Sequence, residues 1–196
     1  MGSPAITTSG LRRPSFDRLV SNYPDPIHIG VHALKMMIGG GADDTAPNVS
    51  HWLGGDHGDT CTLRMSRALN RAGFPLPPHF PHLGTVRGSD GLHYAFAVQE
   101  LHAWLKLRLG APDILVKGKP VSREKFNNRK GIIVFDIVFG LNRDGVTRAM
   151  GHADLWDGTT FFDELDGTSY PERDFFNLAD AVSLWICPGT ASLPTT

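Results

Sequence analysis

The second half of the chain contains a succession of apolar runs separated by turn sequences, and this pattern limits the folds open to it. The runs predict four strands, at residues 131–140, 146–156, 159–165 and 181–187. NRDG at 142–145 and DG at 157–158 predict turns between the first three strands. Strands joined by such short turns pair in antiparallel fashion, so an antiparallel sheet is expected here.

The first half of the chain predicts helices instead. Apolar periodicity and Gly or Pro boundaries place them within 14–24, within 28–40, from Cys61 to Ala72 and at roughly 93–109. A Gly-, Asp- and Asn-rich loop at 39–59 separates the second helix from the third. Helices followed by an antiparallel sheet indicate an α+β fold with N-terminal helices packed on the sheet.

Length and composition narrow the class of protein. The 196 residues suit one catalytic domain, 1–196, with a loose arm at 1–12 and a loose tail at 189–196. Nineteen basic and 20 acidic residues give no excess charge that would favour nucleic acid, and no apolar run is long enough for membrane insertion. The N-terminus lacks the apolar core of a signal peptide, so synthesis in the cytoplasm is expected.

Cys61, one of two cysteines, lies at the predicted start of the third helix. Asp59 or Thr60 can cap this helix, and Gly73 ends it. The partial positive charge of a helix N-terminus favours a thiolate, and its N–H groups can hold the oxyanion that forms when a carbonyl is attacked. The position therefore suits a nucleophile. The alternative is a small buried hydrophobe, a common state of free cysteine.

A base and a carboxylate follow in the strand region. On its strand His152 shares a face with Asp154 and Trp156. The DG turn brings Asp163 back beside His152, whereas Asp154, two residues on, is not expected to reach the ring nitrogen easily. Cysteine, histidine and then a carboxylate is the order of a papain-type hydrolase. The alternative is a histidine satisfied by a neighbour on the sheet surface.

Other polar groups allow other functions. The 51–59 loop contains His51, Asp56, His57 and Asp59, but their spacing matches no helical two-histidine or cysteine-based zinc signature. A metal-dependent hydrolase using His152, Asp154 and this loop remains the alternative enzyme, and a binding module is the non-enzymatic one. Arg64, Arg67 and Arg71 are typical of a solvated helix face, although Arg64 could contact an acidic substrate.

Two motifs, DTCTLRMSRALNRAG and GHADLWDG, resemble the fourth family of type VI secretion amidase effectors, which are similar to NlpC-type papain-fold enzymes. The matching residues are Thr60, Cys61, Arg64, Ser66, Gly151, His152, Asp154, Leu155 and Trp156. The resemblance spans roughly residues 14–188. Some members carry a cysteine pair after the histidine motif, but residues 157–180 contain no cysteine, and Cys187 is predicted to be a buried hydrophobe.

The resemblance implies an antibacterial toxin that type VI secretion machinery delivers to the periplasm of a rival cell. It implies cleavage of peptidoglycan stem peptides between D-glutamate and meso-diaminopimelate, and a cognate immunity protein that blocks the cleft. The implied catalytic residues are Cys61, His152 and Asp163, with Asp154, Trp156, Thr60 and Arg64 binding substrate or supporting the site. No cofactor and no metal are expected.

Overall fold

The computed structural model describes residues 12–42, 60–79, 84–141, 148–162, 174–191 and 193. The helices are α1 (Phe16–Asn22), α2 (Val31–Ile38), α3 (Cys61–Arg71), α4 (Val98–Leu109) and α5 (Phe175–Leu178). The strands are β1 (Thr85–Arg87), β2 (His93–Ala95), β3 (Ile114–Lys117), β4 (Gly131–Leu141), β5 (Arg148–Trp156) and β6 (Ala181–Ile186).

The strands form two antiparallel sheets. β1 and β2 make a small hairpin, and the larger sheet has the order β3-β6-β4-β5. The last strand, β6, therefore lies between β3 and β4, and β5 is at the edge among the strands described. The predicted α+β class, a papain-like fold with helices and an antiparallel sheet, is confirmed.

Strand β4 of the larger sheet is buried on both faces over residues 131–135. Ile132 and Val134 of β4 belong to a helix-side core that also contains residues of α1, α3 and α4. Ile133 and Phe135 point the other way into an aromatic core, which includes Trp156, Phe161, Phe175 and Phe176. Because successive side chains of a strand alternate between faces, burial on both faces explains why β4 is one continuous apolar run in the sequence.

Two sequence predictions about elements are corrected, and some short elements were not predicted. The helix expected at roughly 93–109 begins only at Val98, because residues 93–95 pair with 85–87 as a strand. β3 was not predicted. The third strand expected at 159–165 is absent from its described part, 159–162, apart from a single bridge between Trp156 and Phe161. There the Asp157 carboxylate accepts the N–H groups of Thr159 and Thr160 and holds a turn instead.

The described part of the predicted loose tail is attached to the fold. The Asp17 carboxylate on α1 accepts the N–H groups of Thr190 and Ala191, each at 2.7 Å. Lys130 donates to the carbonyl groups of the same two residues, and Leu193 is buried. Within the described ranges, none of the helices has the length and apolar character needed to span a membrane.

Candidate active site

The start of α3 carries Cys61 as its first residue. Thr60 occupies the N-cap position, and its carbonyl accepts the first helical hydrogen bond, from the N–H of Arg64 at 3.0 Å. The Thr60 side chain makes no capping hydrogen bond. At the other end Gly73 has φ 87°, and the N–H of Phe74 reaches back to the carbonyl of Leu69 at 2.9 Å. The predicted helix and its glycine stop are therefore confirmed.

Cys61 itself is almost completely buried. It is 5% exposed and belongs to the helix-side core together with Met65, Ala68 and Leu69, as the helical spacing predicted. Ala153 and Leu155 of β5 lie in the same core, and α3 packs on this strand, which also carries His152.

His152 and Asp154 form a buried pair on β5. Nε2 of His152 lies 3.6 Å from Oδ2 of Asp154, and the two residues are 4% and 0% exposed. The other carboxylate oxygen, Oδ1, accepts the N–H of Leu155 at 2.7 Å. The sequence predicted that Asp154 shares a face with His152 but does not easily reach its ring nitrogen. In the structure, the Asp154 carboxylate lies closer to the ring nitrogen than was predicted.

Aromatic rings surround the imidazole of His152. Its ring centroid lies 4.5 Å from that of Phe175, 6.1 Å from that of Phe135 and 6.3 Å from that of Phe161. Trp156, predicted to support the site, belongs to this same aromatic core, and its Nε1 donates to the carbonyl of Phe126 at 2.9 Å. The contact with Phe175 was missed, because that residue lies 23 positions after His152 and no pattern in the sequence connects the two.

Gly151 precedes His152 at an irregularity of the β4–β5 ladder. The register passes from Phe135 opposite His152 to Val138 opposite Met150, so β4 has an extra residue here. Gly151 has φ 86°, and a Cβ atom at this position would lie 2.7 Å from Cγ1 of Val98. Both observations require glycine. Bulges beside active sites commonly re-aim a side chain, which here is that of His152.

Ser66 and Asn70 connect α3 to the β1–β2 hairpin. The Ser66 hydroxyl donates to the carbonyl of Thr62 at 2.6 Å and accepts the N–H of Ala95 at 2.9 Å. Asn70 donates to the carbonyl of His93 at 2.8 Å. These bonds fix the position of the chain that leads into α4, and their contribution was not predicted.

Arg64 is not on a solvated face. It is 4% exposed, and its guanidinium donates to the carbonyl groups of Pro24 at 2.7 Å and Ile29 at 2.6 Å. The solvated-face interpretation holds for Arg71, which is exposed and pairs with Asp90 at 2.9 Å.

Cys187 is a buried hydrophobe, as predicted. It is 2% exposed, and its thiol donates to the carbonyl of Trp185 at 3.5 Å. Burial raises the pKa of the Cys187 thiol to about 12. This cysteine is therefore a neutral thiol at physiological pH.

Several predicted features lie outside the described residues: the turn at 142–145, Asp163, and the 51–59 loop with His51, Asp56, His57 and Asp59. The structure thus brings together His152 and Asp154, and packs the helix of Cys61 on their strand. In the part of the chain that the structure describes, no three His, Cys, Asp or Glu residues are grouped as a metal site would require.

Comparison with known proteins identifies the family. Residues 57–185 match the profile of Tae4, described as type VI secretion system (T6SS), amidase effector protein 4. This match covers both the α3 start and the β5 histidine. No curated protein sequence matches the chain.

Solved structures with similar folds include Tae4 effectors. The Tae4–Tai4 effector–immunity system of Salmonella typhimurium has 28% identity and a TM-score of 0.70, covering 90% of this chain and 100% of that one. The Salmonella Tae4 bound to the Enterobacter cloacae immunity protein Tai4 has 29% identity and a TM-score of 0.69, with the same coverage. The Tae4–Tai4 complex of Enterobacter cloacae has 25% identity and a TM-score of 0.70, covering 90% and 99%.

The family profile matches most of the chain, and the papain-like fold and the cysteine at the helix start agree with it. The chain therefore belongs to the Tae4 family of type VI secretion amidase effectors, which are antibacterial enzymes acting on peptidoglycan.

Proposed function

We propose that this protein hydrolyses the amide bond between D-glutamate and meso-diaminopimelate in peptidoglycan stem peptides, and that it does so by a cysteine mechanism. The observation that carries the proposal is the start of α3, where a cysteine begins a helix that packs on the strand of a buried histidine–carboxylate pair. Each part of this arrangement has a chemical role in amide hydrolysis.

The nucleophile is Cys61. The positive end of an eleven-residue helix favours the thiolate over the thiol. The Thr60 side chain accepts no N–H of the first turn, so it does not compete with an oxyanion for those donors. The thiolate attacks the amide carbonyl carbon, and first-turn N–H groups stabilise the oxyanion.

The general base is His152. It takes the thiol proton, and in the tetrahedral intermediate it donates this proton to the amine nitrogen of diaminopimelate, so the C–N bond breaks and a thioester to glutamate remains. Water, deprotonated by the same imidazole, then hydrolyses the thioester and restores the thiol. Ala153 and Leu155 face the core of Cys61 whereas His152 faces the aromatic core, so the thiol–imidazole contact is expected at the edge of β5.

Asp163 orients the imidazole in this proposal. A carboxylate in that position holds one ring tautomer and stabilises the imidazolium that forms. Asp154 is the competing candidate, because its Oδ2 lies 3.6 Å from Nε2 of His152. Asp154 also binds the N–H of Leu155, which suits a group that maintains the strand.

The delivery and the partner follow from the family. Several solved Tae4 structures are complexes with the immunity protein Tai4, and we infer a cognate immunity protein for this effector that covers the cleft at the α3 start. The substrate lies outside the inner membrane, so the protein is expected to act in the periplasm of the recipient cell. A secretory signal fused to it should make expression lethal to a Gram-negative host, whereas cytoplasmic expression should be tolerated.

The decisive assay is digestion of purified sacculi with identification of the fragments by mass spectrometry. The proposal predicts new glutamate carboxyl and diaminopimelate amine ends, activity that survives EDTA, and loss of activity after iodoacetamide treatment. Cleavage at another bond would contradict the assigned substrate. Loss of activity with EDTA that zinc restores would favour the metal-dependent hydrolase built on His152 and Asp154.

A further inference from the structure

The side chain of Arg64 lies inside the protein, and Arg64 follows Cys61 by three residues, within one turn of α3. Arg64 is 4% exposed. Side chains of a helix lean toward its N-terminus, and residues three apart have Cβ atoms about 5–6 Å from each other. The side chain of Arg64 therefore extends along the first turn of α3, where Cys61 is the first residue.

The hydrogen bonds of Arg64 do not neutralise its charge. Nη1 donates to the carbonyl of Pro24 at 2.7 Å and Nη2 donates to the carbonyl of Ile29 at 2.6 Å. Both acceptors are neutral. Among the described residues Arg64 takes part in no ion pair with a carboxylate. A charge that lies away from water and is bound only to neutral carbonyl groups is weakly screened, so it acts on nearby titratable groups more strongly than an exposed charge would.

Arg64 is the basic residue of α3 that is nearest to Cys61 in sequence. The charged groups on the neighbouring elements pair with other residues. On β5, Ala153 and Leu155 share the core of Cys61, whereas His152 and Asp154 lie on the other face and pair with each other at 3.6 Å. In the turn after α1, Asp25 accepts the N–H of Ile27 and pairs with His28 at 2.7 Å.

More distant groups are engaged elsewhere. On α1, Asp17 binds Thr190 and Ala191, and Arg18 is exposed. On α4, Glu100 accepts the N–H of Gly84 at 2.7 Å. Tyr23, at the end of α1, shares the helix-side core with Cys61.

We propose that Arg64 is a positioning residue for the reaction, whose buried positive charge favours the thiolate form of Cys61 while its two hydrogen bonds hold the turn at 24–29 against the start of α3. The inference rests on the proposed role of Cys61 as nucleophile. An Arg64 that bound acidic substrate directly would need an exposed guanidinium, whereas this one is buried and bound to the carbonyl groups of Pro24 and Ile29.

The test measures the alkylation rate of Cys61 against pH in the full-length protein, in a Cys187→Ala background so that one thiol reports. Arg64→Gln removes the charge, Arg64→Lys keeps it, and Arg67→Gln is the matched control one turn further along the same helix. We expect Arg64→Gln to raise the midpoint pH of alkylation by about one unit, because an opposite charge nearby shifts a titration by that order. Arg64→Lys and Arg67→Gln should stay close to the parent.

The same variants should separate charge from packing. A shift of one unit lowers the thiolate fraction at neutral pH by up to about tenfold, so kcat/KM of Arg64→Gln should fall by a similar factor and recover as pH rises. A folded Arg64→Gln whose alkylation midpoint equals that of the parent contradicts the inference. If Arg64→Gln does not fold, Arg64→Lys decides, because a midpoint raised by one unit despite the retained charge contradicts it equally.

The alkylation midpoint needs no substrate, so the two proposals fail in different ways. An unchanged midpoint together with an inactive Cys61→Ala variant would remove the inference and leave the cysteine mechanism in place. A shifted midpoint together with an active Cys61→Ala variant would leave the electrostatic role of Arg64 and remove the mechanism.

Discussion

The two cysteines of this protein are almost equally buried and belong to the same helix-side core, yet the elements and polar groups beside them differ. Cys61 is 5% exposed and begins a helix, with the cation of Arg64 one turn away and His152 on the neighbouring strand. Cys187 is 2% exposed, follows β6 and donates to the carbonyl of Trp185. Burial alone therefore does not distinguish a nucleophile from a structural thiol; the charges and dipoles around the sulfur do.

The largest expected effect separates the two cysteines directly. Cys61→Ala should lower peptidoglycan cleavage on the order of 10⁴-fold or more, because the reaction loses its nucleophile. Cys187→Ala should keep near-parental activity. Both replace a small buried side chain, so each should cost about 1 kcal/mol of stability and leave the circular dichroism spectrum native. A Cys61→Ala variant that is folded and fully active would contradict the assignment of Cys61 as the nucleophile.

The carboxylates near His152 give the next effect. Asp163→Asn should lower turnover on the order of 10⁴-fold with little change in thermal stability, as loss of an orienting carboxylate does in comparable triads. Asp154→Asn should cost less turnover and more thermal stability, because Asp154 is fully buried and supports the strand. Steady-state cleavage of a purified stem peptide and thermal melts measure both. If the order of the turnover losses is reversed, the triad must be drawn with Asp154.

Gly151→Ala tests whether the strand geometry aims His152. The new Cβ would lie 2.7 Å from Cγ1 of Val98, at φ 86°. We expect a stability loss of about 1–3 kcal/mol and roughly a 100-fold fall in kcat, since small displacements of a catalytic group are costly.

Gly73→Ala is the matched control for Gly151→Ala. It has nearly the same φ, 87°, but its nearest contact is 3.9 Å away, at Nη2 of Arg12. This variant should lose stability through backbone strain alone and keep its kcat. If both variants lost kcat equally, the contact with Val98 would have no part in catalysis.

The smallest effect concerns the surroundings of Cys187. The ring of His102 meets that of Trp185 edge-on, with centroids 5.4 Å apart. Burial, and after it the ammonium group of Lys106, lower the pKa of His102 from 6.5 to about 4. As pH falls, His102 of the unfolded chain therefore takes up its proton at a higher pH than His102 of the folded protein does. The contribution of His102 to stability is complete above pH 6.5 and is lost as pH falls toward 4.

Thermal melts across this pH range test the assignment. Tm of the parent should fall between pH 6.5 and 4. His102→Gln should flatten that slope without changing activity at neutral pH. An unchanged slope would mean that water reaches His102 in the folded protein and that burial does not lower its pKa.

Local signals explain what the sequence could predict. The helix from Cys61, its stop at Gly73 and the long run of β4 follow from spacing and turn residues within a few positions of each other. β2 and β3 have three and four residues, too few for a periodic pattern, and they exist because distant segments pair with them.

The site shows the same division between local and distant causes. Cys61 and His152 were recognisable because helix starts and strand faces are local properties. The burial of Arg64 was not, because its acceptors lie 40 and 35 residues away in the chain. The approach of Asp154 to His152 and the contact with Phe175 likewise depend on the three-dimensional packing of β5.

The most direct test of the central claim is to treat the native protein with iodoacetamide near neutral pH and follow two quantities over time. One is the modified fraction of each cysteine by peptide mapping, and the other is the residual activity on sacculi. The account predicts that Cys61 is modified first, that activity disappears in proportion, and that Cys187 stays unmodified while the protein is folded. Full activity in protein whose Cys61 is completely modified would contradict it.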